Sequence, residues 1–292
     1  MTTNINWFPG HMAKAIRQID EKIKLIDLII EVVDCRIPFS SANPVVAKLS
    51  HNKPRLIILN KKDLADPKIT ERWLNYYQNH QIPVIVVDSK HHKISKIIVP
   101  KILEILKDKL ARDYTKGIKN PQLKVMILGI PNVGKSTVIN SLINKTSAKV
   151  GNKPGVTKGQ QWLKLNDQIA LLDTPGILWP KIDDPQVALR LVFTRSIKED
   201  ILPKEEICLA AIKWIYEHYF NVLVSNYQIP SDYKISADTA NAWFDLLLLM
   251  QKNRFQIVNP DNVDNIIQDF LNKLWNNEFG LLSFETPDEE TK

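Results

Sequence analysis

Cysteine is almost missing from this 292-residue chain: only Cys35 and Cys208 occur. They are too few and too far apart for a disulfide framework or a Cys-rich zinc site. Long apolar runs are missing too. None approaches the ~18 residues needed to span a bilayer, and the longest candidate, residues 25–33, is broken by Asp27 and Glu31. The stretch from Met1 to Ala15 has no signal-peptide apolar core, so a cytoplasmic location is expected. No internal repeat or low-complexity tract is present, which excludes repeat arrays. Hydrophobic residues at 44% and charged residues at 24% are those of a globular chain rather than a disordered, collagenous or coiled-coil one. Lys+Arg 39 against Asp+Glu 32 leaves a net charge of +7, which suits an anionic partner but equally a soluble enzyme.

The first two-thirds alternates short apolar runs with helical patterns. Residues 28–33, 55–59, 84–87 and 124–128 read as strands of a parallel sheet covered on both faces. Helices are expected at 13–24, 44–49, 67–79 and 95–112. This rhythm predicts a doubly wound α/β domain. Residues 162–165 and 169–172 flank the polar turn Asn166-Asp167-Gln168 and read as an antiparallel hairpin at a sheet edge. Further on, 187–197, 206–220, 238–250 and 263–274 carry apolar residues at helical spacing. The expected organisation is therefore an α/β domain at 1–181, a smaller all-helical domain at 182–283 and a disordered tail at 284–292.

Gly129-Ile130-Pro131-Asn132-Val133-Gly134-Lys135-Ser136 matches the phosphate-loop pattern G-x-x-x-x-G-K-[ST], lying between an expected strand and an expected helix as that motif requires. Backbone N–H groups of Asn132, Val133, Gly134, Lys135, Ser136 and Thr137 are placed to turn toward phosphate oxygens, helped by the helix N-terminus. Lys135 is expected to reach the β- and γ-phosphates, and the Ser136 hydroxyl to ligate Mg2+. Asp173-Thr174-Pro175-Gly176 follows the hairpin's second strand. A carboxylate there holds magnesium, for Asp173 through a water, while Gly176 leaves its N–H free for the γ-phosphate. Thr157, in the polar stretch between the two motifs, is expected to complete the metal shell when a γ-phosphate is bound, making that stretch a switch.

Asn60-Lys61-Lys62-Asp63 follows the second strand. A carboxylate only accepts hydrogen bonds, so Asp63 pairs with the ring N–H and 2-amino group of guanine, which adenine lacks. Lys61 can lay its stem across the purine, and Asp88 and Ser89 can offer backbone N–H groups to the base oxygen. These base-side elements precede the phosphate loop in the chain. In an open parallel sheet the loops converge at the carboxyl ends of the strands whatever their chain order, so a circularly permuted P-loop GTPase fold meets the same geometry.

Together with Trp7-Phe8-Pro9-Gly10-His11-Met12, Asp34-Cys35-Arg36-Ile37-Pro38 and Pro154-Gly155-Val156-Thr157, these motifs resemble, in content and order, the circularly permuted GTPases of the ribosome biogenesis GTPase A family. The resemblance covers roughly residues 7–178. It implies GTP/GDP binding with Mg2+, GTP hydrolysis, a place late in assembly of the large ribosomal subunit, and a C-terminal helical domain touching its rRNA. It implies neither membrane nor DNA as partner, and the chain is expected to act as a monomer. The turn Phe255-Gln256-Ile257-Val258-Asn259-Pro260 departs from the family pattern, with no Gly and no cation after Arg254, so it offers few phosphate contacts.

Where many small GTPases place a water-orienting glutamine after the D-x-x-G glycine, this chain has Ile177, so a slow intrinsic rate is expected. His11, at the start of an expected helix, is kept neutral by that position and can accept a proton or hydrogen bond; the family resemblance points to the same residue. Asn132 suits a K+ site beside the phosphates, as similar permuted GTPases suggest. Two other readings stand beside the enzyme: a GTP-regulated RNA-binding scaffold in which hydrolysis only triggers release, and an ATP-dependent kinase or ATPase in which Asp63 plays no part.

Overall fold

The structure, a computed structural model, describes residues 5–6, 10–50, 53–91, 93–143, 160–179, 181–235 and 241–290. Its strands in chain order are β1 (Ile5–Asn6), β2 (Leu28–Asp34), β3 (Arg55–Asn60), β4 (Val84–Val86), β5 (Leu123–Leu128), β6 (Gln161–Lys164), β7 (Ile169–Asp173) and β8 (Lys181–Ile182). Six of them form one sheet in the order β4-β3-β2-β5-β7-β6. All its neighbours run parallel except β6 against β7, the expected edge hairpin. A separate antiparallel pair joins β1 to β8, Ile5 opposite Ile182.

Helices α1 (Gly10–Ile23), α2 (Pro44–Ser50), α3 (Pro67–Asn79), α4 (Ser95–Ile105), α5 (Lys107–Thr115) and α6 (Lys135–Ile143) accompany the sheet. The helical body consists of α7 (Pro185–Phe193), α8 (Lys204–His218), α9 (Phe220–Tyr227), α10 (Ala242–Phe255) and α11 (Asp264–Trp275), and α12 (Pro287–Glu290) follows. Starts are set locally. Asp66 accepts hydrogen bonds from Lys68 and Ile69 N–H ahead of α3, and Asp184 accepts from Gln186 N–H ahead of α7. In both, proline occupies the first turn, where its missing N–H costs nothing.

The side-chain alternation of β2 explains why both faces of the sheet are covered. Leu28, Ile30 and Val32 join a core shared with α4, α6 and the helical body. Ile29 packs toward α1, and Val33 toward α3. Between those two, on the same face, stands Glu31, fully buried; it pairs with Arg55 of β3 and accepts a hydrogen bond from Asn43 N–H at 2.9 Å. A continuous apolar core thus runs from the sheet into the helices, with α8 packed against α7, α9, α10 and α11. The boundary expected after residue 181 falls inside β8.

Two sequence expectations need correction. The helix expected over 95–112 is two helices broken at Leu106. Leu106 is drawn into the core while α5 buries no residue, so the chain turns there to leave α5 on the surface. The tail expected to be disordered from residue 284 is instead anchored as far as Thr286, and then forms α12. The Phe284 ring packs tilted against Phe193, with ring centroids 5.3 Å apart. Glu285 is fully buried and accepts hydrogen bonds from Phe39 N–H, Ser40 N–H (3.2 Å) and the Ser40 hydroxyl (2.5 Å), with Arg190 at 3.6 Å. Polar composition misleads here because the apolar contact and the carboxylate's partners come from remote parts of the chain. No described helix is long and apolar enough to cross a membrane.

Glu285→Ala should lower the unfolding free energy by about 2–3 kcal/mol, the cost of leaving buried donors unpaired. Urea denaturation measures this. A change under about 0.5 kcal/mol, the ordinary range of surface substitutions, would show that the clasp carries no stability.

Candidate functional site

Three loops leave the carboxyl ends of the parallel strands β3, β5 and β7, with β2 between the first two, where α/β sheets bind ligands. Asn60 ties the first of them to the second. Its side-chain amide donates to the Val133 carbonyl of the phosphate loop at 2.9 Å, and its amide oxygen accepts from Ser89 N–H at 3.3 Å. Gly134 faces the same side chain so closely that a Cβ there would stand 2.3 Å from Asn60 Nδ2, and its φ of +89° also excludes ordinary residues. Glycine is therefore required where the two halves of the site meet.

Lys135 begins α6, with Ser136 and Thr137 in the same first turn. Its buried Nζ lies 2.5 Å from Asp173 Oδ1 at the end of β7. Burial pulls the Lys135 pKa down from its ordinary value, and the Asp173 charge opposes that. The other oxygen of this carboxylate, Oδ2, is buried without a hydrogen-bond partner among the described residues. A buried, unpaired carboxylate oxygen beside a phosphate loop has the chemistry of a site for a hydrated cation. Gly176 lies against the phosphate loop: a Cβ on it would come within 3.2 Å of the Pro131 Cα and N. The next residue, Ile177, is fully buried and brings no polar side chain to the site.

On the base side, Lys61 has the left-handed φ of 62°, rare for a residue with a side chain. It is held by charge: Lys61 Nζ is 2.8 Å from Asp34 Oδ2, and Arg36 grips the same carboxylate through Nε at 3.0 Å and Nη2 at 2.9 Å. Burial by itself would raise the Asp34 carboxyl, but these two cations hold it well below the usual carboxylate range. Burial lowers the Lys61 ammonium, against the pull of Asp34. Asp63 sits one turn on, in a short 3-10 helix at Lys62–Leu64, with His91 Nδ1 3.9 Å from its carboxylate. Asp88 accepts from Lys90 and His91 N–H, both at 3.1 Å, and pairs with the His91 ring. Of the two N–H groups expected to meet a base oxygen, those of Asp88 and Ser89, that of Ser89 is given to Asn60.

Asn132, in the left-handed conformation, donates its amide hydrogen to the Arg195 carbonyl at 2.8 Å. Thr157 and the His11 side chain lie outside the described residues, as do Trp7, Phe8 and Pro9.

The structure brings together Asn60, Ser89, Val133 and Gly134, and separately Lys135 with Asp173. Residues of the frame that the sequence reading left without a role are Glu31, Asp34, Arg36 and Asn43. The signal that could have found the first two is charge inside a strand with apolar neighbours on both sides, which needs buried partners.

The family model described as "50S ribosome-binding GTPase" matches residues 124–210. The chain is 40% identical over 285 residues to "Ribosome biogenesis GTPase A" of Bacillus licheniformis, covering 98% of this chain and 99% of that protein. It is 48% identical over 232 residues to the protein of that name in Priestia megaterium, covering 78% and 81%. A crystal structure of GNP-bound YlqF from T. maritima is similar at TM-score 0.60 and 25% identity, over 94% of this chain and 99% of that one.

Asp34→Asn would leave the buried Arg36 and the partly buried Lys61 facing a neutral amide and should cost about 3 kcal/mol at pH 7. The folded Asp34 pKa is depressed, so its contribution is present above the unfolded value of about 3.9 and is lost as pH falls through the folded one. The gap between wild type and variant in urea denaturation should therefore narrow below about pH 4. A gap that does not change with pH would mean the charge is not what stabilises.

Proposed function

Because the chain belongs to the ribosome biogenesis GTPase A family, we propose that it binds GTP and hydrolyses it in the service of large ribosomal subunit assembly, in the cytoplasm, acting as a monomer on the precursor particle and its rRNA. The observation that carries the nucleotide reading is the Asn60 bridge, which fixes the base-side loop of Lys61 and Asp63 against the phosphate loop of Val133 and Gly134. The joined loops give one cleft with a triphosphate end and a purine end.

In this reading Asp63 takes the guanine ring N–H and 2-amino group, and Lys61, steadied by Asp34, covers the purine face. Backbone N–H groups from Asn132 to Thr137 cradle the phosphates, and Lys135 exchanges Asp173 for phosphate oxygens. Ser136 and Thr157 would hold Mg2+ directly and Asp173 through a water; the unpaired Asp173 Oδ2 fits that role. The metal supplies neutralisation of charge on the β- and γ-oxygens. Gly176 offers its N–H to the γ-phosphate. Ile177 cannot orient the attacking water, so His11 accepts that hydrogen bond, and turnover is slow until a ribosomal particle completes the site. Asn132 supplies its amide oxygen to K+.

Two measurements test this. The chain should co-sediment with the large subunit or its precursor when a non-hydrolysable GTP analogue is present, and the particle should raise multiple-turnover hydrolysis. Binding without stimulation favours the scaffold reading, and binding to neither subunit overturns the ribosomal one. For the base, Asp63→Asn replaces an acceptor-only group by an acceptor–donor pair, matching the N–H and carbonyl of xanthine. It should weaken GTP by at least about a hundredfold while improving XTP binding; unchanged GTP affinity, or ATP competing as well as GTP, would remove Asp63 from base reading.

A further inference from the structure

Asn43 lies in the loop between β2 and α2 and is almost fully buried. Two of its donors reach the frame of the site, and its two oxygens hold the start of α2. The main-chain N–H donates to the buried carboxylate of Glu31 at 2.9 Å. The side-chain oxygen accepts from Val45 N–H at 2.9 Å, at the start of α2. The carbonyl accepts from Val46 N–H at 2.9 Å. The side-chain nitrogen donates to the Ile177 carbonyl at 2.8 Å. The Ile177 N–H in turn donates to the Gly129 carbonyl, the first residue of the phosphate loop, at 3.2 Å. The Ile177 side chain is packed in a cluster with Val46 of α2 and Ile29 of β2. Residue 177 is thus fixed at its nitrogen by the phosphate loop, at its oxygen by Asn43 and at its side chain by the core. The residue immediately before it is Gly176, pressed against Pro131.

We propose that Asn43 is a positioning residue for the γ-phosphate: by holding the Ile177 carbonyl it sets the Gly176 peptide at the distance where its N–H meets the third phosphate and not the first two. The inference rests on the functional reading above and deepens it. The phosphates of a bound diphosphate reach only the phosphate loop and leave Gly176 without a ligand partner, whereas those of a triphosphate use both. A residue that positions Gly176 therefore acts on the difference between the two nucleotides. A residue that merely stitches the fold acts on both alike.

The experiment measures affinities for GDP and for a non-hydrolysable GTP analogue, with GTP turnover, in the full-length protein, for wild type, Asn43→Ala and Asn43→Asp. The aspartate keeps an acceptor for Val45 and so keeps the start of α2, but has no hydrogen to give Ile177. Both variants should lose about tenfold in analogue affinity, the size of one buried hydrogen bond, with GDP affinity within about twofold and a fall in kcat at saturating GTP. Equal weakening of both nucleotides, or an aspartate variant that discriminates as wild type does, overturns the proposal. Should wild type itself bind neither nucleotide, the functional reading fails first and takes this inference with it; the wild-type measurement tells the two failures apart.

Discussion

The structure depends on one side-chain amide. Asn60 donates to the phosphate loop and accepts from the loop after β4, so three segments that are separate in sequence share a fixed geometry. Removing either bond would strand a buried polar group, a penalty of about 1–3 kcal/mol, which makes the joined arrangement the favoured one before any ligand arrives. The neighbouring glycine obeys the same constraint: the approach of Asn60 to Gly134 leaves no room for a β-carbon. Permutation of the chain is harmless for this reason. What the cleft needs is the lateral order of β3, β2, β5 and β7, and that order is kept although base-side strands are made first.

A second constraint is the loop that leaves β2. Within it, Arg36 reaches Asp34 on the base side, Asn277 Oδ1 at 3.0 Å and the Thr194 carbonyl at 3.4 Å. Ser40 meets Glu285, and Asn43 meets Ile177. The Phe284 N–H donates to the Arg36 carbonyl at 2.9 Å and the Leu282 N–H to that of Leu64 at 3.2 Å. One connection thus contacts the base side, the segment after Gly176 and the C-terminal region. The charges in it are buried and paired, an arrangement that is costly to break from one side only.

Much of this was legible in the sequence and some of it could not be. The strands, the edge hairpin and α3 are written in local periodicity, and the phosphate loop and the Asn60 to Asp63 motif are contiguous strings whose chemistry needs no distant partner. Asp34 with Lys61, or Ser40 with Glu285 across 245 positions, exist only after folding, and the residue types involved are ordinary on a surface. The tail misleads for the same reason. Thr286-Pro287-Asp288-Glu289-Glu290 has the composition of a solvated end, and nothing local announces that Phe284 and Glu285 just before it are buried. Leu106 shows the limit of periodicity: a helical pattern runs across it, yet its own burial decides where the helix stops.

The anchoring of Glu285 has a consequence for synthesis of the chain. At translation rates of about 5–20 residues per second, Glu285 follows Ser40, 245 positions earlier, by on the order of tens of seconds. During that interval the nascent chain already carries the Asn60 to Asp63 segment, and then the Gly129 to Ser136 loop, without the carboxylate that secures the loop between β2 and α2. The loop between β2 and α2 therefore reaches its clamped form only when the C-terminal region has emerged.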